Sequence, residues 1–191
     1  MIAPPMQVVG IGGYAGSGKD TAAQALVASG WVRMAFADLL RDALYVLNPL
    51  VTTTDRLQDI VDEMGWDNAK RALPEIRRLL QVLGTEVGRK QWADDFWVDL
   101  LFKNAKEQGV DQLVISDVRF PNEIAAVNKA LGFTLWIQRD GVGPVNGHAS
   151  DNSLDATSFS RVIHNNGSVA DLQDTVLKAV AAHDVQMSVL R

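Results

Sequence analysis

Five short apolar runs punctuate the chain: Val8 to Ile11, Trp31 to Phe36, Gln112 to Asp117, Phe133 to Ile137 and Arg161 to His164. Their length and apolar character predict strands. Between them, apolar residues at three- and four-residue spacing predict helices over Thr21 to Val27, ending near Ser29-Gly30, and over Leu39 to Leu47, stopping at Asn48-Pro49. A further helix runs from Pro121 to Leu131-Gly132, and Ser168 with Asp171 reads as a capping box for a terminal helix reaching about Ala182. Strands alternating with helices in this way imply an α/β chain: a mostly parallel five-stranded sheet flanked by helices, with right-handed crossovers.

The middle of the chain departs from that rhythm. Residues 50–73 are more polar and read as short helices capping a site. From Pro74, the run Ile76 to Arg89 keeps helical spacing while containing Gly84 and Gly88. Each glycine costs a helix about 1 kcal/mol relative to alanine. Either something approaches the backbone closely there, or the helix ends and restarts. Trp92, Phe96, Trp97, Leu100 and Leu101 read as core, and the segment closes at Gly109.

Chemistry enters where the first strand turns into the first helix, at Gly13-Tyr14-Ala15-Gly16-Ser17-Gly18-Lys19-Asp20-Thr21. The spacing Gly13-x-x-x-x-Gly18-Lys19 lets successive backbone N–H groups point at one anion while Lys19 adds a point charge, which is what binding a phosphate demands. Asp20 stands where a Ser or Thr hydroxyl usually holds Mg²⁺, and Thr21 follows one residue late, a Gly-Lys-x-Thr arrangement common among small-molecule kinases.

Other candidates sit at strand ends. Asp117 closes an apolar strand, and in parallel α/β sheets ligands gather at the carboxyl ends of strands, so Asp117 is a candidate Mg²⁺ ligand, direct or through water. Arg119 follows it, then Phe120-Pro121-Asn122-Glu123 opens a helix. Asp38 and Arg41 come just after the second strand. Arg78, Gln81 or Thr85, and Arg89 fall within one broad face at helical spacing, so that two cations and polar groups converge on one anion. Arg139 closes the fourth strand, and residues 139–151 form a glycine-rich loop of the kind that acts as a lid, carrying His148.

Composition narrows the partners. The 191 residues are 47% hydrophobic, enough for a substantial core, and carry a formal net charge of −5 with no cysteine. An acidic balance argues against a nucleic-acid polymer as partner, while a small anion needs only a few local cations. Disulfides and thiolate metal sites are excluded. The N-terminus, Met1-Ile-Ala-Pro-Pro-Met, lacks a basic segment followed by a long apolar core, and no run reaches about 18 apolar residues. A cytoplasmic protein with no membrane partner is expected, built as a single domain around the phosphate-binding loop, with a helical region at about 50–109.

Taken in order, several strings resemble the bacteriophage deoxynucleoside monophosphate kinase family: Gly16-Ser17-Gly18-Lys19-Asp20-Thr21, Phe36-Ala37-Asp38-x-Leu40-Arg41, Leu79-Leu80-Gln81-x-Leu83-Gly84-Thr85-Glu86-x-x-Arg89, Asp117-Val118-Arg119-Phe120-Pro121-Asn122-Glu123, Arg139 through His148-Ala149-Ser150-Asp151, and Ile163-x-Asn165. The resemblance implies a nucleoside monophosphate kinase fold and transfer of the γ-phosphoryl group from Mg-ATP to a deoxynucleoside 5′-monophosphate. A homodimer is also implied, in the host cytoplasm if the chain is phage-encoded. It further implies ATP contacts from Gly13, Ala15, Gly16, Ser17, Gly18, Lys19, Asp20, Thr21 and Asn165, with Thr21 and Asp117 at the metal. Asp38, Arg41, Arg78, Gln81, Glu86 and Arg89 would surround the acceptor, with the helical region at about 50–109 binding it. Arg119, also at the acceptor, would join Lys19 and Arg139 in supplying charge at the transferring group. Two alternatives stay open: a P-loop kinase of the phosphomevalonate or dephospho-coenzyme A type, and a P-loop ATPase with no acceptor.

Overall fold

Five strands form one sheet in a computed structural model that describes residues 6–144 and 153–189. They are β1 (Gln7–Gly12), β2 (Val32–Met34), β3 (Gln112–Ile115), β4 (Phe133–Gln138) and β5 (Arg161–His164), in the order β2-β3-β1-β4-β5. Every neighbouring pair is parallel, with Gly10 opposite both Ile115 and Thr134. The expected sheet is therefore present with all five strands, and its carboxyl ends share one edge.

The chain divides into two compact units. One holds the sheet and comprises the described residues up to Ala35 and from Phe102 onward; the other is 36–101. In the sheet unit, alternation along β1 assigns the two faces. Val9 and Ile11 join Ala22, Leu26, Leu172 and Val176 in one buried cluster, so that α1 (Lys19–Val27) and the terminal helix cover that face. Gly10 points the other way, where a Cβ would press on Val118 and Val127 of α6 (Pro121–Lys129). The period of two along a strand makes this division. The terminal helix, α7 (Val169–Val189), starts as expected, with Ser168 N–H donating to Asp171 and Asp171 N–H to the Ser168 hydroxyl, but it continues well past Ala182.

The second unit is helical: α2 (Phe36–Leu47), α3 (Leu57–Ala72), α4 (Pro74–Gln81), a π-helix over Val82–Trp92 and the first turns of α5 (Phe96–Glu107). Gly65, at φ 77° and ψ 157°, breaks α3 into two pieces, matching the short helices expected there. The two glycines after Pro74 are explained by close approach. Trp97 Nε1 donates to the Gly84 carbonyl at 3.0 Å, and a Cβ on Gly88 would overlap the same indole. Gly84 also faces Leu40. The chain's own side chains press on this backbone, and the helix widens to π geometry instead of ending.

The aromatic residues here split. Trp97 is buried core, as expected, whereas Trp92 is exposed. Trp92 is the last residue of the π-helix, so it packs one side on Phe96, at 4.6 Å between ring centroids, and leaves the other in solvent.

Gly88→Ala should destabilise the protein by about 1–3 kcal/mol, because the added methyl must displace a packed indole that also satisfies a buried carbonyl. Urea unfolding measures this. An unchanged midpoint would mean that Trp97 has room to retreat.

Candidate functional site

Between β1 and α1 the chain makes a loop that only glycines permit. Gly13, Gly16 and Gly18 lie at φ 140°, 82° and 102°. Gly18 is the N-cap of α1, and a Cβ there would run into the Asn165 side chain. Asn165 is the reason for that closeness. Its Nδ2 donates to the Ser17 carbonyl at 2.8 Å while its backbone N–H donates to Gln138 at 2.7 Å, so it fastens the loop to the end of β4. Tyr14 packs edge-on against Trp136 of β4, at 5.1 Å between centroids.

What the loop presents is positive. The α1 N-terminus has no side-chain cap, so its first N–H groups carry the helix's partial positive charge outward. Lys19 Nζ lies on the Tyr14 carbonyl at 2.7 Å, folded across the loop. Ser17 is buried, its hydroxyl without a hydrogen-bond partner among the described residues, and Asp20 is exposed in the first turn. Such a cradle suits a phosphate.

Asp117 lies half-buried beyond β3 on the same sheet edge. The chain there stays on its neighbours, with Ser116 N–H on the Met34 carbonyl and Val118 N–H on that of Ile11. Two residues on, the backbone of Arg119 is held by a group that sequence reading did not single out as functional. Glu123, 2% exposed, accepts from Arg119 N–H at 2.6 Å and Phe120 N–H at 3.1 Å. The signal was legible, since a glutamate at the third helical position after proline is half of a capping box. The Arg119 side chain stays exposed, as does Arg139 just after β4. Of the expected lid, residues 145–151 with His148 lie outside the described residues.

No group of three or more His, Cys, Asp or Glu capable of holding a metal forms among the described residues. Thr21 and Asp117, the two residues expected at a divalent ion, are both half-buried. A few hard oxygen donors suit Mg²⁺, which keeps waters and takes its remaining ligands from phosphates.

The helical unit arranges its charges in local pairs. Arg41 contacts Asp38 at 3.2 Å and Asp67 at 3.9 Å, and Lys70 contacts Asp67 at 2.9 Å. The Lys70 hydrogen bond and charge, then Arg41, hold the Asp67 carboxyl below its ordinary range. Asp67 and Lys70 were missed by sequence reading, because only the packing of α2 and α3 brings them to Arg41. Arg78 is exposed and bidentate on Glu75, at 2.7 and 2.6 Å, which lowers that glutamate's pKa. Arg89 is largely buried and donates to the Asp94 carbonyl at 3.1 Å. Glu86 pairs with Lys90 at 2.9 Å, and Gln81 and Thr85 are half-buried. Arg78 and Arg89 are thus engaged with separate carboxylates. The extra residue in each π turn rotates Arg89 off the register that Arg78 sets on α4.

Residues 52–176 match the model of the deoxynucleotide monophosphate kinase family. A mimivirus protein, of Acanthamoeba polyphaga mimivirus, named as a candidate deoxynucleotide monophosphate kinase, is 27% identical over 196 residues, covering 92% of this chain and 96% of its own. The deoxynucleoside-5′-monophosphate kinase of Escherichia phage T5 is 35% identical over 66 residues, 35% of this chain and 26% of its own. Among solved structures, TT1252 from Thermus thermophilus has the same fold, with a TM-score of 0.53 at 18% identity over 94% of this chain and 98% of its own. No helix among the described residues is long and apolar enough to cross a membrane.

Glu123→Ala should lower stability by about 2 kcal/mol or more, since it strands two backbone N–H groups at about 1–3 kcal/mol each. Glu123→Gln, which keeps an acceptor, should cost less. Urea midpoints of the two variants decide it, and equal losses would mean that the charge, not the acceptor geometry, matters.

Proposed function

The chain belongs to the deoxynucleotide monophosphate kinase family, and on that premise we propose that it transfers the γ-phosphoryl group of ATP to a deoxynucleoside 5′-monophosphate, yielding the diphosphate and ADP. The observation that carries this reading is the glycine loop at the head of α1, with Lys19, on the sheet edge that also holds Asp117 and Arg119.

The loop N–H groups and Lys19 would take the β- and γ-phosphates, Lys19 leaving the Tyr14 carbonyl to do so. Thr21 and Asp117 would hold Mg²⁺, which neutralises phosphate charge when bound. An oxygen of the acceptor phosphate attacks the γ-phosphorus, the bond to the β–γ bridging oxygen breaks, and the electron pair leaves with ADP. Because that oxygen is already anionic, no general base is needed. Positioning and charge carry the rate. Arg119 and Arg139 would stabilise the transferring group. Asp38, Arg41, Arg78, Gln81, Glu86 and Arg89 belong to the unit that would recognise the acceptor. Asn165 would serve ATP indirectly, by fixing the Ser17 carbonyl and hence the loop. We take the working form to be a cytoplasmic homodimer.

A coupled assay for ADP, run with and without each of the four deoxynucleoside monophosphates, tests the reading. ADP formation should depend on a deoxynucleotide. Formation without any acceptor would point to an ATPase, and formation only with phosphomevalonate or dephospho-coenzyme A to the other kinase types. Lys19→Ala should cut turnover by about 10²-fold or more, with unchanged circular dichroism. Near-normal turnover in that variant would remove the loop from the chemistry.

A further inference from the structure

In the helical unit, one charge cluster is arranged with its cations inside and its acid outside. The Arg41 and Lys70 side chains are only 28% and 23% exposed, whereas Asp67, which touches both, is 80% exposed. A lysine normally extends its ammonium into water and leaves the shorter acid nearer the surface. Here the order is inverted. Arg41 is fixed from below by Asp38, three residues earlier on α2, at 3.2 Å, and meets Asp67 only at 3.9 Å, too long for a hydrogen bond. One oxygen, Asp67 Oδ1, spans two cations from two helices.

We propose that Arg41 and Lys70 form an anion subsite for the 5′-phosphate of the acceptor nucleotide, and that Asp67 is a tethered carboxylate that occupies it until the phosphate arrives. The proposal rests on the kinase reading for the identity of the anion. A monoanionic carboxylate held at 3.9 Å leaves much of the guanidinium's donor capacity unused. A phosphate dianion offers three acceptor oxygens and twice the charge, and guanidinium pairs with it bidentately. The exposed Asp67 can swing into solvent at little cost, because exposed ion pairs are worth little. With Asp67 gone, the remaining charges of Asp38, Arg41 and Lys70 sum to +1, and Arg71, whose charge is also felt at Asp67, adds to the field. Lys70 is therefore assigned to the binding of acceptor phosphate, and Asp67 to competition with it.

This arrangement predicts opposite signs for two neighbouring substitutions. Calorimetric binding of the preferred deoxynucleoside monophosphate, and of the same deoxynucleoside without phosphate, would be compared for wild type, Lys70→Gln, Lys70→Arg and Asp67→Asn, alongside turnover and melting temperature. Lys70→Gln should weaken monophosphate binding about tenfold, with Lys70→Arg restoring most of it. Asp67→Asn should tighten it about threefold, the size expected for removing an exposed competitor. Binding of the phosphate-free deoxynucleoside and the Michaelis constant for ATP should stay unchanged. The subsite is overturned if Asp67→Asn weakens binding as Lys70→Gln does, if neither variant changes it, if the phosphate-free ligand is affected equally, or if wild type does not bind the monophosphate. A wild type that binds the monophosphate with these opposite responses yet transfers nothing to it would instead refute the kinase reading.

Discussion

The hydrogen bond from Asn165 to the Ser17 carbonyl joins the last strand to the first loop, across 148 residues of sequence. A glycine-rich loop has little side chain of its own to hold it, and its glycines are the residues that lose most entropy on ordering. The conformation must therefore be imposed from outside. Asn165 does this from the residue just after β5 while its own backbone is pinned to Gln138, and Tyr14 leans on Trp136 of β4. The loop's geometry is thus a property of the finished sheet, and in particular of the edge formed by β4 and β5.

The same logic extends across the sheet. Because β3 and β4 flank β1 in parallel, the segments that follow all three strands emerge on one side. The loop, Asp117 and Arg139 reach a common edge without any motif specifying that they should. At Arg119 a second device is added: a buried carboxylate, Glu123, holds the peptide so that the arginine can remain exposed without the backbone fraying. A buried acid that satisfies two N–H groups is well compensated, whereas the same acid without them would be expensive.

The sheet, its five strands and the loop were legible in the sequence because each is a local pattern: an apolar run, a glycine spacing, a capping residue. The π-helix was not, since α and π turns share apolar periodicity until a partner intrudes, and the intruder, Trp97, lies 13 residues beyond the carbonyl it binds. Trp92 and Trp97 look alike in a sequence, and only the direction in which the helix ends puts one in solvent and the other in the core. A broad face shared by Arg78 and Arg89 assumed 3.6 residues per turn throughout, which the extra residue per π turn undoes. Asp67 and Lys70 carry no signal of their own. They read as an ordinary surface pair, three residues apart on α3, until α2 brings Arg41 beside them.

The two units treat their cations differently, and the difference bears on what each can bind. In the helical unit the candidate arginines each have a carboxylate at hand: Arg41 has Asp38 and Asp67, Arg78 has Glu75, and Arg89 has Asp94. In the sheet unit, the Arg119 and Arg139 side chains are exposed and make no ion pair among the described residues. A paired cation binds an anion only by exchange, so the net gain is the difference between phosphate and carboxylate, which is small for a monoanion and larger for a dianion. Pairing thus lowers affinity in general while favouring the doubly charged phosphate of a mononucleotide over singly charged competitors. An unpaired cation gives its full interaction to whatever charge develops beside it, which suits a group in transfer better than a group at rest. In a chain of net charge −5, arginines at the strand ends that make no ion pair among the described residues, set against helix arginines that are paired, leave the uncompensated positive charge on the sheet edge.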